Sequence, residues 1–220
     1  YAGARSRRRI RSPMSSSTSS LAVGPVRCAW FAYRRGEPAE PQARRWLSQV
    51  LDIPGDALRL HRDAHGRPQF DPAHAGFDAN WSHSGERLLV ALARGAHVGA
   101  DIEWLRPRPS AMTLARRFFA PGEAQALAEL PPEEGEHAFV RLWCAKEAVL
   151  KAHGRGIAFG LERLEFRHED GHWRLAACDP ALGAPQDWRL HAFAPAPGYL
   201  ATLAWRPWSP AAGAAPTMAG

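Results

Sequence analysis

The sequence contains few cysteines, almost no lysine and no long apolar run. Its three cysteines are widely spaced and form no C-x-x-C pair, which excludes a disulfide framework or zinc knuckle and favours a reducing compartment, the cytoplasm. The longest apolar run, residues 88–93, is far shorter than the ~20 residues of a membrane span, so we expect no membrane partner. Serines rather than an apolar core follow the arginines of residues 1–20, and we therefore expect no secretory signal peptide.

Acidic residues are fewer than basic ones, but this imbalance is local. The net charge is +6, and residues 1–20 hold five arginines and no acid, which leaves +1 for residues 21–220. One hypothesis is a basic nucleic-acid-binding module that uses this Arg-rich segment together with the nine tryptophans. It predicts loss of function on deletion of residues 1–20 and indifference to Asp101→Ala. The near-neutral remainder and the lack of a matching motif argue against it, so we expect no nucleic-acid partner.

The hydrophobic pattern predicts an α+β protein. Apolar residues make up 45% and charged residues 23% of the chain, as in ordinary globular proteins. Period-2 and period-3.6 patterns predict strands at 23–34, 87–94, 97–105, 161–168, 172–177, 188–194 and 198–205, and helices at 41–52, 111–119, 121–130 and 133–153. We expect a loop over 61–78, and a hairpin that pairs 97–105 with 87–94. Ser110 is a candidate helix cap.

The order of these elements predicts two halves of similar content. Arg106-Pro107-Arg108-Pro109 stops a strand and is a natural hinge between them. We expect an Arg/Ser-rich disordered extension over 1–20, an N-terminal half over 21–106, a C-terminal half over 107–208 and a flexible tail over 209–220.

The segment Gly99-Ala100-Asp101-Ile102-Glu103 carries two acids on one face of a strand. Alternate residues of a strand point the same way, so Asp101 and Glu103 lie together with Cα atoms ~6.5–7 Å apart. Carboxylates that close repel each other unless a positive charge lies between them, and Mg²⁺ is the obvious cation. The alternative is a solvated strand face with two chance acids.

The helix at 133–153 contains both lysines of the chain, Lys146 and Lys151, around Glu147. Trp143, Glu147 and Lys151 form one i, i+4 stripe, which on its own is also the commonest kind of surface pair. Arginine fills every other basic position, and arginine cannot always replace lysine where a compact ammonium must reach a phosphate oxygen. A GC-rich coding bias is the alternative explanation of this arginine excess, but the position of both lysines around one glutamate shifts the interpretation toward a functional role.

Two further segments present polar groups. Asn80-Trp81-Ser82-His83-Ser84-Gly85 can offer donors to an anion; a hydrolase is the alternative, but adjacent Ser and His seldom form a triad, and the chain has no G-x-S-x-G. His65-Gly66-Arg67-Pro68 is a tight loop that exposes Arg67, although a plain turn is the usual case. The chain has neither a Walker loop nor a G-x-G-x-x-G, so these nucleotide folds are not indicated.

Taken in chain order, these motifs resemble the 4′-phosphopantetheinyl transferases of the larger single-chain type. The order is G-R-P, N-W-S-H-S, V-G-A-D-I-E, R-F-F-A-P-G-E and W-C-A-K-E-A-V-L-K, over about residues 65–151. The resemblance implies a monomer of two similar α/β subdomains with antiparallel sheets packed as a pseudo-dimer. It also implies Mg²⁺-dependent transfer of the phosphopantetheine arm from coenzyme A to a serine hydroxyl of an apo acyl or peptidyl carrier protein, with release of adenosine 3′,5′-bisphosphate.

The resemblance further implies roles for individual residues. Mg²⁺ would be bound by Asp101, Glu103 and Glu147. The phosphates of coenzyme A would be bound by Arg67, Ser82, His83, Lys146 and Lys151. At Arg67 the family more often has lysine, but arginine also binds phosphate, and can do so through two parallel bonds.

Three residues are the catalytic candidates. Lys151 would offset charge that develops on the phosphates. Glu147 is the first candidate for the general base, because it could bridge the metal and the incoming serine, and Glu103 is the second; a metal-bound water is the third possibility. A scaffold that has lost catalysis is disfavoured, since all of the carboxylates and both lysines are present.

Overall fold

The computed structural model describes residues 19–169 and 172–208, and strands are the commonest element in this part of the chain. In chain order they are β1 (Ser19–Val23), β2 (Val26–Ala32), β3 (Leu60–Arg62), β4 (Pro68–Phe70), β5 (Phe77–Ser84), β6 (Arg87–Arg94), β7 (Ala96–Trp104), β8 (Leu164–Glu169), β9 (His172–Cys178), β10 (Arg189–Phe193) and β11 (Tyr199–Pro207). One antiparallel sheet has the order β1-β2-β6-β5 and a second has the order β10-β11-β7, while β3 with β4 and β8 with β9 form separate hairpins.

The helices lie where the sequence predicts them. They are α1 (Glu40–Leu51), α2 (Ala111–Phe118), α3 (Pro121–Ala128) and α4 (Pro132–His153). Together with the antiparallel sheets they confirm the α+β class. Ser110 precedes α2, but its side chain makes no capping bond. No helix within the described ranges combines the length and the apolar character that a membrane span requires.

Helix α1 covers one face of the first sheet. Its apolar residues recur at helical spacing, which gives it a single buried stripe. Trp46 and Leu47 of this stripe pack in one core cluster with Leu88 and Val90 of β6. The helix ends at Asp52, whose φ of 53° is left-handed. Helix α1 thereby covers this face of the first sheet. The edge strand of that sheet, β5, lies next to the second sheet.

Helix α4 lies directly on the second sheet, and Gly99 of β7 makes this approach possible. A Cβ atom at Gly99 would lie 1.9 Å from the carbonyl oxygen of Ala148 and 2.5 Å from the nitrogen of Ala152. Any side chain at this position would therefore displace the helix. The helix ends at Gly154, in the left-handed conformation usual for a helix end. The acidic strand and the lysine-bearing helix are thus in direct contact.

Several sequence expectations are wrong at the level of single strands. The strand predicted over 23–34 is present as β2, but it begins at Val26, because Gly24 takes a left-handed φ of 53° and turns β1 into β2. The extension expected over 1–20 overlaps strand β1 by two residues, because β1 begins at Ser19. The rest of 1–20 and the tail at 209–220 lie outside the described residues. The loop predicted over 61–78 contains β3 and β4, which pair with each other. Strand β5, which the sequence pattern does not predict, follows β4 and contains Asn80 to Ser84.

The predicted hairpin between 87–94 and 97–105 is also wrong. Both segments are strands, β6 and β7, and Gly95 between them has a left-handed φ of 67°. However, β7 pairs along its whole length with β11, from Ala96 with Pro207 to Trp104 with Tyr199. The chain therefore crosses from the first sheet to the second at Gly95, and β6 pairs with β2 and β5.

Candidate functional site

The two sheets meet where side chains of β5 bond to the backbone of β7. The N–H of Val98 donates to Asp78 Oδ2 at 2.7 Å, and the N–H of Ala100 donates to Asn80 Oδ1 at 3.0 Å. The pattern continues at the far end, where the N–H of Trp104 donates to Ser84 Oγ at 3.1 Å. Alternate residues of a strand share a face, so every second side chain of β5 is directed at the acidic strand. We call this row of bonds the seam.

Asp101 is the most deeply buried carboxylate of the site. Its Oδ1 accepts a hydrogen bond from Lys151 Nζ at 2.6 Å and one from Ser82 Oγ at 2.9 Å. Lys151 also donates to Ser82 Oγ at 3.1 Å, so the three polar groups form a closed triangle. Asp101 is only 3% exposed, and its Oδ2 is buried without a partner in the described part of the chain. A buried oxygen of this kind is costly unless a bound group satisfies it.

Glu103 lies two residues along the same face of β7. Its Oε2 accepts hydrogen bonds from Ser84 Oγ at 3.2 Å and from the guanidinium of Arg108. Burial, and then the nearby Asp101 carboxylate, raise the pKa of Glu103, while Arg108 opposes that rise.

Glu147 and Lys151 face this strand from α4, one helical turn apart. Lys151 Nζ lies 3.7 Å from Glu147 Oε2. Burial raises the pKa of Glu147 to about 7; Asp101 and Glu103 add to that rise, and Lys151 opposes it. For Lys151, burial disfavours the charged form, but the Asp101 and Glu147 carboxylates outweigh burial and raise its pKa. The site thus holds a charged ammonium among three carboxylates that repel one another.

These carboxylates fit a hard cation in their chemistry. Carboxylate oxygens are the donors that Mg²⁺ takes in proteins, and the unpartnered Oδ2 of Asp101 is an atom that a cation would satisfy. As the side chains stand, no group of three His, Cys, Asp or Glu residues within 19–169 and 172–208 has the arrangement of a metal site. The carboxylate oxygens that a metal site needs are therefore present, but they are not arranged as they would be around a bound ion.

A cationic cleft of about 210 Å³ adjoins the cluster. Its basic lining comes from Arg62, His65, Arg67, Lys151 and Arg155, and its walls carry no carboxylate. A second cavity of about 250 Å³ shares His65 and Arg155 with it and adds Arg163. A cleft of this charge suits a polyanion. Because Lys151 belongs both to the cleft and to the carboxylate cluster, a ligand in the cleft lies next to those carboxylates.

Arg67 lines this cleft but is tied to the protein. Its guanidinium donates to Asp78, to the carbonyl oxygen of Val98 at 2.8 Å and to the carbonyl oxygen of Lys151. Arg67 and Asp78 form a buried ion pair, with 6% and 7% of their side chains exposed. Burial raises the pKa of Asp78, and Arg67 opposes that rise. Arg67 therefore connects the turn between β3 and β4 with β5, β7 and the end of α4.

Lys146, expected among the coenzyme A ligands, is not brought to the cluster. Its ammonium is fully buried, lies 2.7 Å from Glu123 Oε2, and donates to the carbonyl oxygens of Leu161 and Leu164. The ring of Phe119 lies 5.0 Å from Nζ. Glu123 in turn accepts from the backbone N–H groups of Ala120 and Phe166. This pair connects α4 with α3 and the following strand β8.

His83 is likewise directed away from the carboxylates. It alternates with Ser82 and Ser84 along β5 and therefore faces the opposite side of the strand. There its exposed ring stacks on Tyr33, with centroids 4.4 Å apart. Of the expected phosphate ligands, the structure brings Ser82 and Lys151 to the carboxylate cluster.

Comparison with known proteins assigns the family. The model of the 4′-phosphopantetheinyl transferase superfamily matches residues 97–204. The transferase AcpT of Escherichia coli K12 is 32% identical over 172 residues, which cover 72% of this chain and 84% of AcpT. This chain belongs to the 4′-phosphopantetheinyl transferase superfamily. The transferase HetI of Nostoc is 33% identical over 172 residues, or 74% of this chain and 69% of HetI. A Synechocystis relative is 34% identical over 144 residues, or 60% of this chain but only 58% of that relative.

The superfamily match includes the acidic strand and the lysine-bearing helix, but sequence reasoning misses three residues of the site. They are Asp78, Ser84 and Arg108. For Ser84 a signal exists, because the spacing of S-H-S equals the spacing of D-I-E on the facing strand. For Arg108 the sequence carries no signal beyond its place in a proline-flanked connection.

Proposed function

We propose that this chain transfers 4′-phosphopantetheine from coenzyme A to a serine hydroxyl of an apo acyl or peptidyl carrier protein. The observation that carries the proposal is the convergence of Asp101, Glu103, Glu147 and Lys151 beside a cationic cleft, in a chain of the transferase superfamily. The relatives HetI and AcpT carry the transferase name, and they align with most of this chain.

The cleft would bind the phosphates of coenzyme A. Lys151 is a donor at its inner end, beside Asp101 and Ser82, and the exposed Arg155 and His65 lie at its rim. Charged donors fixed around a phosphate group stabilise the charge that grows on it during transfer. The pyrophosphate would therefore lie next to the carboxylate cluster, while the phosphate of the leaving group extends toward the rim.

The carboxylates would hold Mg²⁺, with Asp101 and Glu147 as ligands and Glu103 completing the set. Bound there, the cation supplies positive charge to the pyrophosphate oxygens. The Oδ2 atom of Asp101 supports this assignment, because it is buried and has no partner in the described chain.

Glu147 would accept the proton of the incoming serine. Its carboxylate is a suitable proton acceptor, and in the chain without a bound cation burial raises its pKa to about 7. The serine oxygen forms a bond to the phosphorus that carries the pantetheine arm, and the bond from that phosphorus to adenosine 3′,5′-bisphosphate breaks. The hydroxyl proton moves to the Glu147 carboxylate, and Lys151 offsets the charge on the departing phosphate. Glu103 is the second candidate for this base.

The remaining residues would act through the frame of the site. Arg67 would hold the end of α4 and hence Lys151, and Lys146 would hold α4 against α3. We also propose that the chain works as a cytoplasmic monomer of two similar subdomains, 21–106 and 107–208, packed as a pseudo-dimer. One sheet with a covering helix in each half supports this, with β7 of the first half completing the sheet of the second.

Intact-protein mass spectrometry tests the transfer. An apo carrier protein is incubated with coenzyme A, Mg²⁺ and the wild type, Glu147→Ala or the control Glu129→Ala, an exposed position at the end of α3. We expect a phosphopantetheine mass gain with the wild type and the control, and its loss with Glu147→Ala or with EDTA. No gain with the wild type on several carrier proteins contradicts the function, and an unchanged rate with Glu147→Ala contradicts the role of that residue.

A further inference from the structure

We propose that Arg108 and Ser84 are positioning residues that orient Glu103, in the same way that Lys151 and Ser82 orient Asp101. The proposal rests on the proposed function, because it concerns how the carboxylates are presented to a divalent cation. It adds Arg108 and Ser84 to that site and gives Asp101 and Glu103 the same kind of support.

The two carboxylates are held in matching ways. Each accepts one hydrogen bond from a serine of β5 and one from a cationic side chain, and both bonds fall on a single oxygen. For Asp101 that oxygen is Oδ1, and for Glu103 it is Oε2. The other oxygen, Oδ2 or Oε1, accepts no hydrogen bond from the described part of the chain. One oxygen of each carboxylate is thus fixed, and the other is left for a ligand.

The serines are themselves fixed, which makes them suitable for this task. Ser84 Oγ accepts from the backbone N–H of Trp104 at 3.1 Å and donates to Glu103. Ser82 Oγ accepts from Lys151 Nζ at 3.1 Å and donates to Asp101. Because each hydroxyl accepts from one neighbour, its single proton is directed at the carboxylate.

Arg108 is also anchored independently of Glu103. Its own N–H donates to Glu136 Oε2 of α4 at 3.0 Å, and its Nη2 donates to Glu103. Pro107 and Pro109 flank it and restrict the backbone on both sides. The Arg108 and Glu103 side chains are 18% and 19% exposed, so water competes little for this pair. The guanidinium therefore holds the carboxylate from a fixed point.

Orientation and charge predict opposite effects when Arg108 is removed. If Arg108 orients Glu103, its loss lets the carboxylate rotate and weakens the binding of a divalent cation, as removal of partners that orient metal ligands does, by about 10–100-fold. If Arg108 only contributes positive charge, its loss makes the site more negative and strengthens cation binding.

Binding of Mn²⁺ alone, followed by electron paramagnetic resonance on the full-length chain, separates these possibilities. The variants are Arg108→Ala, Arg108→Lys and Ser84→Ala. Arg106→Ala is the matched control. Arg106 lies two residues before Arg108 in the same connection, but its guanidinium lies over the ring of Trp104. Circular dichroism melting accompanies each variant, and transfer to an apo carrier is measured on the same samples.

We expect Arg108→Ala to weaken Mn²⁺ binding about tenfold or more, Ser84→Ala to weaken it less, and Arg108→Lys to restore part of the affinity. Arg106→Ala should bind as the wild type does. Equal or tighter binding by Arg108→Ala, with wild-type binding and transfer intact, overturns the orienting role and leaves the proposed function standing. A wild type that binds no Mn²⁺ overturns this proposal and the cation site together, and the transfer assay then shows whether the function fails as well.

Discussion

Lys146 Nζ and Glu123 Oε2 lie 2.7 Å apart between α4 and α3, with 0% and 1% of their side chains exposed. Removing one member of such a pair leaves the other charge buried and unpaired. We therefore expect Lys146→Met to lower the free energy of unfolding by about 3–5 kcal/mol. Urea unfolding measures this change. The double variant Lys146→Met with Glu123→Leu should lose less, and a smaller loss in the single variant than in the double would contradict the account.

Arg67 should also act on stability rather than on ligand affinity alone. Arg67→Met leaves the buried Asp78 carboxylate without its cation, and we expect a loss of about 3 kcal/mol in the free energy of unfolding. The control is Arg155→Met, which lies on the same cleft but is exposed; it should weaken coenzyme A binding and leave stability unchanged. If Arg67→Met kept wild-type stability and lost only coenzyme A affinity, Arg67 would be a phosphate ligand instead.

Glu147 should make stability depend on pH when no divalent cation is present. Its pKa is about 7 in the folded chain against an ordinary value of 4.5, so between these values the folded state binds more protons than the unfolded state. Stability therefore falls as pH rises from about 4.5 to 7, by about 3 kcal/mol in total, and then levels off. Glu147→Gln should remove this slope and melt at a higher temperature than the wild type above pH 7 in EDTA. A variant with an unchanged slope would assign the dependence to another group.

Gly99 should tolerate no side chain. In Gly99→Ala the new Cβ would meet backbone atoms of α4 at 1.9 Å and 2.5 Å, and backbone cannot move aside as a flexible side chain can. We expect a destabilisation of about 3 kcal/mol or more, measured by thermal melting, with loss of transfer as α4 is displaced. Gly122→Ala is the control, because a Cβ there has nothing within 4 Å. If Gly99→Ala kept the stability of the wild type, α4 and β7 would be packed less closely than these distances indicate.

The Arg-rich segment distinguishes transfer from nucleic-acid binding. Removal of residues 1–18 leaves β1 intact, since that strand begins at Ser19. We expect this deletion to leave transfer to the carrier unchanged, and Asp101→Ala to abolish it, both measured by intact mass. Loss of function on deletion together with full function of Asp101→Ala would support the nucleic-acid alternative.

The parts of the fold that depend on local pattern could be predicted from the sequence. Helix α4 follows from its apolar spacing and from Gly154, which ends it. Two acids two residues apart on a strand share one face, and so do Glu147 and Lys151, four residues apart on a helix. Spacing alone therefore defines both faces, and the fold brings them against each other.

Non-local pairing could not be predicted in this way. The pattern of β7 identifies a strand, but its partner β11 lies about a hundred residues along the chain, and the nearer β6 is the natural expectation. Lys146 illustrates a different gap. Successive residues of a helix are rotated by about 100° around its axis. Over the five residues from Lys146 to Lys151 this rotation directs the two side chains to different sides of α4, even though one motif contains both. A motif shows which residues recur together, and only the helix geometry shows which of them reach the same place.

The seam between β5 and β7 has a consequence for how the contact between the two sheets can change over time. Ordinary neighbouring strands are joined by main-chain atoms that every residue supplies, so their connection survives almost any substitution. Here the side chains of Asp78, Asn80 and Ser84 supply the acceptors, and a single codon change can remove one. This connection between the sheets is therefore inherited residue by residue, and point mutation alone could adjust how firmly the two sheets hold together.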